Sequence, residues 1–191
     1  MKLRRLHLAF GFAVGVFILL HLVNHVALFW GPQPHLTMQG WIQPLYRNPV
    51  VEPALLVGLS IQLYTGLRLL WQRRWPGRFW PQVQFVSGLA LAAFLVQHVG
   101  AALLTRAFGG GLETNVYWAA AVVSDWKLAW YFAPYYIVGV SALFAHLAAA
   151  LALRGGYRLA AKVLFGFGLV FAFALVLALS GGFFEIQLPG I

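Results

Sequence analysis

The sequence predicts an all-α integral membrane protein with five transmembrane helices, and three observations carry that prediction. The chain of 191 residues is 62% hydrophobic and only 9% charged, with a mean hydropathy of +0.81, which excludes an ordinary soluble domain. Five apolar runs, at 6–29, 51–71, 81–105, 130–153 and 159–179, each reach the roughly 20 residues that a hydrocarbon core of about 30 Å requires. The charges are also segregated. Lys2, Arg4 and Arg5, then Arg68, Arg73, Arg74 and Arg78, then Arg154, Arg158 and Lys162 fall in one set of connections. All four acids, Glu52, Glu113, Asp125 and Glu185, fall in the other. This is the positive-inside pattern, with the N-terminus cytoplasmic and the C-terminus outside. The net charge of +9 is thereby read as topology rather than as a nucleic-acid footprint. The arrangement is that of a multi-pass protein of a bacterial-type inner membrane, its spans in contact with the lipid bilayer.

Taken in order, the first span begins with a basic cluster and is too long for the apolar region of a signal peptide. Residues 31–50 contain Pro32, Pro34, Pro44 and Pro49 and are expected to form an irregular outer loop. The second span carries Glu52 at its outer start and Gln62 within it. Pro76 and Pro81 bracket a tight inner turn before the third span. The connection at 107–127 is the longest. Its Gly109–Gly110–Gly111 run is expected to be flexible, and the apolar stretch 116–123 to lie on the outer surface as a short interfacial helix. A two-glycine turn joins the fourth and fifth spans. The eight tryptophans sit at or near span ends, as an aromatic belt does. Gly11, Gly15, Gly66, Gly88, Gly100 and Gly139 leave room for close helix approach or for a flat cofactor. No second domain or convincing repeat is visible, so 1–191 reads as a single transmembrane domain. With no cysteine in the chain, disulfides and thiolate ligation are unavailable within it.

Ionisable or strongly polar side chains inside a span are costly and by default mark function. At 1.5 Å per residue, His21 lies about 14 Å from the outer end of the first span and His98 about 12 Å from that of the third. Gln62 and His146 occupy a matching inner layer in the second and fourth spans. Two neutral imidazoles from facing helices can take both axial positions of a haem b iron, which favours electron transfer. The plainer alternative is that each histidine hydrogen-bonds a neighbouring helix. Zinc and di-iron sites compete poorly, because no intramembrane carboxylate or cysteine completes a shell. His25, one turn beyond His21, is a candidate for a quinone carbonyl or a haem propionate, with a surface cap as the alternative. Glu52 is a weak candidate for proton transfer in quinol chemistry. His7 and His35 are expected to be solvated or interfacial.

Through RRLHLAFGFAVGVFILLHL, QFVSGLALAAFLVQHV and YIVGVSALFAHL, with a glycine in QLYTGL, the chain resembles the cytochrome b membrane anchor of succinate:quinone oxidoreductases and quinol:fumarate reductases. The closest type is the single-chain, five-helix, dihaem form, and the resemblance covers nearly the whole length. It implies a haem-binding bundle of the first four spans, with His21 and His98 as axial ligands of the haem distal to the cytoplasm. It also implies quinone as substrate, and iron–sulfur and flavoprotein subunits docked on the cytoplasmic side. The sequence departs from the family on the inner side. Gln62 replaces the first histidine of the proximal haem, leaving His146 alone, and Phe85 stands where the related pattern has a basic residue. Three fillings of the inner layer follow: side chains alone, a five-coordinate haem on His146, or a haem with Gln62 or water opposite. Side chains are expected, with Gln62 and His146 hydrogen-bonded to each other or to neighbours. The alternative function is a single-haem or non-catalytic relative that serves another complex as a membrane scaffold.

Overall fold

A computed structural model describes residues 2–109 and 113–187; Gly110 and Gly111 of the glycine run lie outside the described residues. Every regular element among them is a helix: α1 (Lys2–Ala27), α2 (Pro32–Tyr46), α3 (Val51–Trp71), α4 (Phe79–Phe108), α5 (Val116–Ser124), α6 (Trp126–Arg154) and α7 (Arg158–Leu179). Five helices are long and apolar enough to cross a membrane: α1 with the short 3-10 turn that follows it, α3, α4, α6 and α7. They coincide with the five predicted spans, with ends extended by a few residues.

Internal contacts divide the chain into two compact units, Met1–Arg73 and Arg74–Ile191. In the first, α1 packs on both α2 and α3. The α1 helix buries only Val14, Asn24 and Ala27, as suits a helix that is apolar on all sides. It ends in the turn Leu28–Trp30, where Gly31 takes φ +116 and breaks the helix. The expected irregular outer loop is corrected here, because 32–46 is helical. Pro32 and Pro34 fall in the first turn of α2, where an absent N–H breaks no intrahelical bond. Pro44 falls in its last turn.

In the second unit α6 is the central helix, in contact with α4, α5 and α7. The α6–α7 interface is built from small residues. Ala148 and Ala152 meet Ala161, with Trp80, Leu151, Leu164 and Phe165 packed around them. At Gly168 an added Cβ would lie 2.1 Å from the Cβ of Phe144, so the backbone of α7 approaches α6 at a distance only glycine permits. The predicted short helix at 116–123 is present as α5. Asn115 caps it, its Oδ1 accepting from the N–H of Tyr117 at 3.0 Å and of Trp118 at 3.4 Å. Its Val116, Ala120 and Val123 are buried. Asp125 caps α6 in the same way.

Candidate functional site

Each unit holds one of the two outer histidines, and the two are set up alike. In α1, Phe17 precedes His21 by four residues, so both project from one face. Their rings stack with centroids 5.8 Å apart and planes at 18°. Tyr46, at the end of α2, meets Phe17 edge-on at 5.2 Å. In α4, Phe94 precedes His98 by the same interval, and their rings stack at 5.0 Å and 17°. Tyr135 of α6 lies 4.8 Å from Phe94. The sequence signals for these pairs are FILLH and FLVQH, two F-x-x-x-H segments whose phenylalanines sequence reasoning passed over.

Beyond His21 the first unit carries a polar cluster. The Nε2 atoms of His21 and His25 share a hydrogen bond of 3.1 Å, with the rings nearly perpendicular. His35, on α2, lies 5.6 Å from the His25 ring. Asn24 Nδ2 donates to His35 Nε2 at 3.2 Å. His35 is only 4% exposed and Asn24 7%, and burial pushes the His35 imidazole down to about 4. The expectation of a solvated or interfacial His35 is therefore corrected. Because 32–46 folds as a helix against α1, His35 is turned inward. With Asn24 donating, Nε2 of His35 accepts and its proton sits on Nδ1, a buried atom with no hydrogen-bond partner among the described residues. Asn24 had no place in the sequence reading, which considered ionisable groups and missed a buried amide.

The inner layer of each unit is held by its own side chains. Gln62 Nε2 donates to His7 Nε2 at 3.3 Å. His7 Nδ1 then donates to Thr65 Oγ1 at 2.9 Å, and Thr65 Oγ1 donates to the Ile61 carbonyl at 2.7 Å. Glycines make the room: a Cβ at Gly66 would lie 3.2 Å from the His7 ring, and one at Gly11 would lie 3.0 Å from Gln62 Nε2. His7 is accordingly half-buried and hydrogen-bonded, not solvated, because α1 is helical from Lys2 and aims it at α3. In the second unit, buried Ser87 shares a 3.2 Å hydrogen bond with His146 Nδ1. Gln62 and His146 are thus bonded to neighbours, each within its own unit. Phe85 packs against Trp75 with ring centroids 5.5 Å apart and planes nearly perpendicular.

Glu52 stands in the first turn of α3, where a carboxylate interacts favourably with the helix N-terminus. Among the described residues no group of three or more His, Cys, Asp or Glu side chains is gathered so as to hold a metal ion. His21 is presented from α1 in the first unit and His98 from α4 in the second. The histidines differ in which ring nitrogen is engaged: His21 uses Nε2 toward His25, whereas His146 bonds Ser87 through Nδ1. No family model, curated protein or solved structure matches the chain.

Proposed function

We propose that this chain is the haem b-binding membrane subunit of an oxidoreductase, passing electrons between a cytoplasmic iron–sulfur partner and quinone in the bilayer. The observation that carries the reading is the pair of F-x-x-x-H segments, each presenting a histidine stacked on a phenylalanine at matched depth in its span. His21 and His98 would hold the haem iron, and a b-type haem bound there would supply one-electron transfer. The phenylalanines hold the ring planes, and the apolar helices exclude water. The first four spans form the bundle around the haem. The inner connections, rich in Lys and Arg, set the N-terminus on the cytoplasmic side and offer the docking face for the iron–sulfur and flavoprotein subunits. His25 would meet a quinone carbonyl once iron takes the His21 nitrogen that it bonds, and Glu52 would take a quinol proton. The membrane is of the bacterial inner type.

One observation favours a narrower reading. Gln62 stands in place of an imidazole and its amide donates to His7, which supports one haem per chain rather than two. A relative with a single haem could serve as the membrane scaffold of another complex. The reading is tested by a dithionite-reduced minus oxidised spectrum of the purified protein, with haem quantified per chain. One low-spin b-type haem is expected, and a protein that binds none would overturn it.

A further inference from the structure

Phe94 is held more tightly than an ordinary core ring. A Cβ built on Gly139 of α6 would lie 2.1, 2.2 and 2.6 Å from three atoms of the Phe94 ring. The ring therefore occupies the notch that this glycine leaves in the surface of α6. Tyr135, one turn earlier on α6, covers it at 4.8 Å with planes tilted by 31°. Tyr131 continues the stack on Tyr135 at 6.0 Å and 12°, and its Oη donates to Gln97 Oε1 at 2.8 Å. The Phe94 ring also stacks on the imidazole of His98 at 5.0 Å and 17°. All these contacts lie within the second unit. Phe17 in the first unit has a tyrosine edge against it, but its ring is not among the atoms nearest to a Cβ built on any glycine among the described residues of that unit.

The geometry points to Phe94, seated in the Gly139 notch, as the positioning residue that fixes the ring plane of His98 on the iron. This rests on the reading of His98 as an axial ligand. An imidazole bound to a metal can rotate about its metal–nitrogen bond, and its orientation is set by what touches the rest of the ring. Here the contact is a flat aromatic face that is itself immobilised from behind. Gly139 acts through Phe94, since only a residue without a side chain leaves the ring its seat.

The test compares the full-length wild type with Phe94→Leu, Gly139→Ala and the double variant. The largest g value of the ferric low-spin haem reports the angle between the two axial imidazole planes, and transfer to apomyoglobin reports haem release. Phe94→Leu is expected to keep its haem, to shift the g value and to release haem about three- to tenfold faster, as loss of an aromatic pair implies. Gly139→Ala should shift the same g value by dislodging the ring. The double variant should behave like Phe94→Leu alone, because both changes act through one ring. Reduced unfolding stability with g value and release rate unchanged would reduce Phe94 to packing and overturn the proposal. If Gly139→Ala does not fold, Phe94→Leu, which only removes atoms, decides. A wild type without haem would sink the functional reading, and the positioning is then decided by solid-state NMR of ring-labelled histidine, with the His98 line assigned through His98→Gln. One ordered His98 line that broadens or splits in Phe94→Leu supports the proposal, and an unchanged line overturns it.

Discussion

His21 and His25 are joined through their Nε2 atoms at 3.1 Å, one helical turn apart on α1. A ring nitrogen offers one lone pair or one proton at a time. The nitrogen of His21 that this hydrogen bond engages is also the one that extends farthest from the backbone toward a ligand. Iron coordination through Nε2 and the His21–His25 hydrogen bond are therefore alternatives.

That competition gives the first prediction. In His25→Leu the competing partner is gone, so haem should bind as well as in the wild type or more tightly. The gain is bounded at about tenfold by the net worth of a side-chain hydrogen bond. Haem titration of the purified protein measures it. Loss of haem in this variant would mean that His25, not His21, is the ligand.

The second prediction concerns pH. His35 titrates near 4 in the folded protein because it is buried, against 6.5 for an unburied imidazole. Its folded value is depressed, so the unfolded chain binds the proton first. The stability tied to neutral His35 is full above about pH 6.5 and is lost as pH falls through 4, by on the order of 3 kcal/mol in total. Protonation also takes away the acceptor at Nε2 that Asn24 uses. Equilibrium unfolding between pH 7.5 and 4.5 should show this decline in the wild type and a flatter profile in His35→Gln. Equal slopes would show that His35 is protonated as readily folded as unfolded.

The spans were legible because an apolar run of about 20 residues has one stable solution in a bilayer, and α5 was legible from its apolar run, with Asn115 in place to cap it. What could not be read was the effect of position on proline. Four prolines between 31 and 50 suggest a loop, yet three of them fall in the first and last turns of α2, where proline does least harm. That single misreading also hid the burial of His35, since a residue in a loop has no inward face. His7 was misjudged from its closeness to Arg4 and Arg5, because sequence gives depth but not which face of α1 meets Thr65. The stacked phenylalanines were written in the sequence at i, i+4. In chains with this many apolar residues, such spacing becomes informative only once the neighbouring helix is known.

The inner layer supplies a third prediction. Gln62 stands where a second imidazole would be needed, and its amide donates to His7, so the wild type should carry no second low-spin haem. Gln62→His restores the imidazole that the related pattern has at this position. If the inner layer still accommodates haem, content should rise from about one toward two per chain, read by pyridine haemochrome assay and a second low-spin signal. Two low-spin haems in the wild type would contradict the assignment of the inner layer to side chains.

The central claim is that His21 and His98 are the axial ligands of one haem. The most direct measurement is the reduced-minus-oxidised spectrum of His21→Ala and His98→Ala, each purified and quantified for haem. Either change alone is expected to abolish the low-spin α-band, because one imidazole cannot hold a six-coordinate iron by itself. Both variants retaining a full low-spin spectrum would contradict it.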